Sequence, residues 1–162
     1  MNEKNEKILK IIHIVAMSLW FSSIIIMGTI TFSIKSIATT DAFAYAHHLV
    51  YFIDMYLLTP AAILTLLTAI VYAFFTQWKV KDNAWLKIKA IITIVLIIAG
   101  TFYLAPLFTS MIETVNVSGL DVLSRESYIR DLSKINWFII INAALVLFAI
   151  AISTLKPGKA AE

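Results

Sequence analysis

His13 is the residue best suited to chemistry in this chain, and it stands where an ionisable group is costly. It opens a run from Ile11 to Ile34 that contains no Asp, Glu, Lys or Arg. A ring of this kind inside an apolar helix needs a partner group, a cofactor or water beside it. At helical spacing His13 shares one face with Met17, Trp20, Ile24 and Met27. A neutral imidazole is a good axial ligand for haem iron, and a thioether is a second possibility. Met17 lies one turn from His13 on the same helix, so the two cannot take opposite faces of one flat macrocycle. Met17 therefore reads as packing beside the site. Trp20 and Trp85 can pack on a porphyrin face, and Lys10, Lys87 and Lys89 lie at the depth of its anionic propionates. The simpler account has His13 bonded to a backbone carbonyl or water, the lysines snorkelling, and Trp85 in an aromatic belt.

A second group comprises His47, His48, Tyr51 and Asp54. His47 and Asp54 share a face two turns apart, whereas His48 points about 100° away. The two adjacent histidines offer a site for a metal ion or a second haem; the alternative is an exposed, protonatable helix end. Asp54 sits at the edge of the charge-free run from Met55 to Trp78. It calls for a cation, and Arg130 or Lys134 is at similar depth. An ion pair tying the second helix to the fourth is the expectation, ahead of a proton relay.

The elements that carry these residues follow from composition. The 162 residues are 60% hydrophobic and 14% charged, and mean hydropathy is +0.88. Soluble domains sit near roughly 45–50% apolar, so this is a membrane composition. With no cysteine, disulfides, thiolate metal sites and cysteine nucleophiles are excluded. The lysines flank apolar runs and form no continuous basic patch, which argues against nucleic acid. No catalytic-serine motif, P-loop or dinucleotide fingerprint is present.

Four apolar runs predict four spans in a single domain over 1–162: about 8–34, 42–77, 84–115 and 127–155. A helix over 42–77 would be about 50 Å long, beyond the roughly 30 Å of hydrocarbon, so its first three turns should lie outside the core or in its interface. Pro60 and Pro106 should bend the second and third spans. Lys156-Pro157-Gly158-Lys159 ends the fourth. Lys4, Lys7, Lys10, Lys79, Lys81, Lys87, Lys89, Lys156 and Lys159 fall on one side. Only Lys35, Arg125, Arg130 and Lys134 fall on the other. The expected fold is thus all-α, an integral-membrane antiparallel four-helix bundle with both termini cytoplasmic. That separates His13 from His47 and His48 by most of the membrane, so one haem cannot bridge them.

Three segments carry a family resemblance: Leu9-Lys10-Ile-Ile-His13-Ile-Val-Ala-Met17-Ser-Leu-Trp20-Phe21, Asp54-Met-Tyr-Leu-Leu-Thr59-Pro60-Ala-Ala62 and Ala84-Trp85-Leu-Lys87-Ile-Lys89-Ala90. Over residues 8–112 the chain resembles the superfamily that holds HemJ-type protoporphyrinogen oxidases and the membrane domain of CopD-type copper proteins. The resemblance implies haem b with His13 as its axial ligand. It also implies a third-helix lysine in the site, Lys89 in preference to Lys87. Two features of the HemJ pattern are absent: Asp54 has no adjacent arginine, and the third span has no histidine. The fit is to an uncharacterised branch of that superfamily.

The expectation is a haem-binding protein of the bacterial cytoplasmic membrane, serving redox chemistry or haem and porphyrin handling. As an enzyme it would be a haem-dependent oxidoreductase of protoporphyrinogen-oxidase type. Its partners would be membrane lipid, a porphyrin or quinone-type small molecule, and a second copy of the chain in a homo-oligomer. The rival is a non-enzymatic membrane module that binds a metal, lipid or partner protein through His47 and His48. A transporter with Asp54 as its coupling carboxylate is the third reading.

Overall fold

The computed structural model describes residues 2–75 and 83–155. The end of the second span at 76–77, Lys79, Lys81 and the Lys156-to-Lys159 stop lie outside them. Every element among the described residues is helical.

Helix α1, Glu3–Ser33, begins five residues before the expected start of the first span at 8. Asn2 caps it, its side-chain oxygen accepting from the Asn5 N–H at 2.9 Å, and Glu3 and Glu6 suit the positive end of the helix dipole. Helix α2, Thr40–Ile53, and helix α3, Thr59–Phe75, form one rod, joined by a π-helical turn over Asp54–Leu58. Helix α4, Ala84–Ala99, and helix α5, Ala105–Ser118, form a second rod in the same way, joined by a π-helical turn over Gly100–Leu104. Helix α6, Glu126–Leu155, is continuous.

The two π turns have one cause. A proline ring clashes with the carbonyl four residues before it and offers that carbonyl no N–H. For Pro60 that residue is Tyr56, and for Pro106 it is Phe102; each is the middle residue of its π turn. The wider turn opens the backbone there, with the Thr59 N–H bonded to the Asp54 carbonyl and the Ala105 N–H to that of Gly100. The expected bends thus take the form of π bulges just ahead of the prolines.

Each rod packs on its neighbours in chain order, and α6 closes back on α1. One core runs through all four rods. Trp20, Ile24 and Met27 of α1 are buried in it, on the face that His13 and Met17 extend. Gly28 lets α1 approach α6 closely: a Cβ there would stand 3.1 Å from Ile139 Cγ2. The outer surface is apolar, with Phe74 79% and Phe102 78% exposed. All four rods are long and apolar enough to cross a membrane. A surface of that chemistry belongs against lipid.

Candidate functional site: a cleft beside His13

A cavity of about 780 Å³ opens between the rods at the start of α1. His13, Met17, Trp20, Trp85 and Lys89 all line it, and Lys7 and Lys10 stand at its mouth with Glu3 and Glu6. Its size falls within the roughly 300–1,000 Å³ of small-molecule and cofactor sites. Lys87, also expected here, is exposed and does not line the cleft. It lies two residues from Lys89, about 200° around the helix.

Three hydrogen bonds between rods frame the cleft. His13 Nδ1 lies 2.7 Å from Thr68 Oγ1. The tyrosine hydroxyl of Tyr72 donates to the Glu6 carbonyl at 3.1 Å, and the Lys89 ammonium donates to Ser153 Oγ. Lys89 also stands 5.9 Å from the Trp85 ring centre, within cation–π reach.

The His13–Thr68 contact fixes the imidazole tautomer. Thr68 has one hydroxyl hydrogen, and it is directed at the Leu64 and Thr65 carbonyls, 2.8 and 2.9 Å away. Its oxygen is therefore the acceptor for His13, and Nδ1 carries the ring proton. Nε2 keeps its lone pair. An acceptor for one ring N–H, leaving the other nitrogen basic, is the usual setting of a metal-ligating histidine.

The other histidines are differently placed. His47 is buried, with its Nδ1–H donating to the Phe43 carbonyl at 2.8 Å and its Nε2 accepting from the Tyr128 hydroxyl at 3.0 Å. Both nitrogens are used, so His47 stands as a structural tie between α2 and α6. His48 is exposed, and its Nε2–H donates to Asn116 Oδ1 of α5 at 3.2 Å. The pair does not converge. Among the described residues no three of His, Cys, Asp and Glu gather as a metal site.

The expected ion pair from Asp54 is corrected by the structure. Lys134 Nζ bonds Asp131 Oδ1 at 2.7 Å, and Arg130 Nε lies 4.0 Å from the same oxygen. Asp131 is one turn from Lys134 on α6 and captures it locally. Asp54 is 3% exposed and meets no cation among the described residues. The tie between second and fourth rods exists, but His47 and Tyr128 make it.

Comparison with known proteins finds no matching family model, no matching characterised protein and no matching solved structure. The chemistry of the cleft is what remains to read.

Proposed function

We propose that this is a multi-pass protein of the bacterial cytoplasmic membrane, an antiparallel bundle with both termini in the cytoplasm. We propose further that the His13 cleft binds haem b through His13 Nε2. The excess of lysine at the His13 end supports the sidedness. The observation that carries the cofactor reading is the bond from His13 Nδ1–H to Thr68 beside a cleft of about 780 Å³. The ring is oriented, its tautomer is set, and its remaining lone pair has a space of cofactor size next to it.

The other residues suit the same guest. Trp20 and Trp85 give flat apolar walls, and Met17 packs one turn along from His13. Lys89 and Lys10 offer cations for two carboxylates. Glu3 and Glu6 repel anions at the same mouth, so the propionate edge belongs on the Lys89 side. Bound haem would supply one-electron redox chemistry. The chain's own part is to orient the ligand ring, exclude water from the cleft and hold the anionic edge. Redox work or haem and porphyrin handling both follow from that arrangement.

The test is an absorption spectrum of protein purified after expression with ample haem. A Soret band is expected, with loss of that band in His13→Ala and its recovery in His13→Gly on adding free imidazole. Colourless wild-type protein, or an unchanged band in His13→Ala, would overturn the reading.

A further inference from the structure

The two π turns face each other across the bundle and enclose a second, smaller space. This chamber has a volume of about 30 Å³. Asp54 and Leu58 line it from one π turn, and Gly100, Thr101 and Leu104 from the other; Trp20 of α1, Thr59 of α3 and Asn142 of α6 add further polar groups to its wall. Its size admits a water molecule and nothing much larger.

The polar groups here lack partners. Trp20 Nε1 and Asn142 Oδ1 are fully buried with no hydrogen-bond partner among the described residues, and the two residues are 3% and 5% exposed. Asp54, also 3% exposed, has no donor or cation on its carboxyl group among the described residues. Native structures rarely leave such groups unsatisfied, and an ordered water or ion is the usual explanation when they do. The donor and acceptor types decide between those two. An indole N–H would repel a metal cation, but it serves the oxygen of a water. The two hydrogens of that water then serve the Asn142 carboxamide oxygen and a carboxyl oxygen of Asp54. Three bonds to otherwise unsatisfied groups is the ordinary coordination of a buried water.

We propose that the chamber binds one water molecule, held by Trp20, Asn142 and Asp54, and that Asp54 exchanges its proton through that water. No other titratable or charged side chain lines the chamber from any of the four rods. A carboxylate there would be an uncompensated charge deep in the bundle, and a proton is the one cation the wall accommodates. In the exchange the Asp54 O–H bond breaks as the water oxygen takes that proton. The water returns one of its own hydrogens to the carboxyl group, so the net charge of the pair is unchanged. Trp20 lines both this chamber and the His13 cleft. Its ring is therefore the partition between the two.

Infrared spectroscopy of the full chain in lipid discs tests this directly. A carboxylic C=O band is expected that vanishes in Asp54→Asn, moves in Asp54→Glu and shifts on transfer to D2O. Trp20→Phe and Asn142→Leu keep the band but slow its D2O shift about tenfold, because each removes one anchor of the water. The proposal is overturned if neither Asp54 variant alters a carboxylic band. It is equally overturned if the band is indifferent to D2O, or if both anchor variants exchange at the wild-type rate.

Discussion

Thr68 accepts from Nδ1–H of the half-buried His13, and its substitution is the sharpest test of the proposed haem site at this scale. Thr68→Val keeps the shape of the side chain and removes the acceptor for Nδ1–H. Affinity for the proposed haem should fall by roughly 10–100-fold, the usual cost of losing the hydrogen-bond partner of a ligand ring, as read by titration of the Soret band. His47→Ala should behave in the opposite way. It strips a buried partner from Tyr128 and should lower stability by about 1–3 kcal/mol, measured by thermal unfolding in detergent, while leaving any Soret band in place. His13, Met17 and Trp20 were legible as one helix face, and Trp85, Lys87 and Lys89 as groups at the depth of His13, of which Lys87 lies off the cleft. The sequence did not reveal Thr68, which looks like any helix-interface threonine. Nor did it reveal how Asp54 is surrounded. The nearest cations by depth were real, but Asp131 lies closer to them along their own helix.

At the scale of elements, the long helices were readable from charge-free length, and the early start of α1 was not. Asn2 starts α1 early because a cap and an acidic first turn extend the helix into polar sequence. The prolines announced bends. What they could not announce was that both would be resolved as π turns facing one chamber, since that depends on how two rods meet. The clearest element-level prediction concerns Gly119, which ends α5 with φ 53°. A Cβ there would stand 2.8 Å from Thr40 Cγ2 at the start of α2. Gly119→Ala therefore suffers both left-handed strain and a clash, and should lower stability by roughly 1–3 kcal/mol, measured by thermal unfolding.

For the whole molecule, the core is narrow and the lipid-facing surface broad, as expected where the solvent outside is also apolar. The lack of cysteine makes the proposed sidedness simple to measure with single introduced thiols. Ser118→Cys should react with a membrane-impermeant thiol reagent in intact cells, and Asn5→Cys only after the cells are opened. The reverse pattern would place the His13 cleft outside. The bond from Tyr72 to the Glu6 carbonyl gives the cleft a kinetic property as well. It ties the first turns of α1 to α3 beside the cleft. If haem binds there as proposed, Tyr72→Phe should speed both its uptake and its escape, followed by Soret absorbance, while leaving the band position alone.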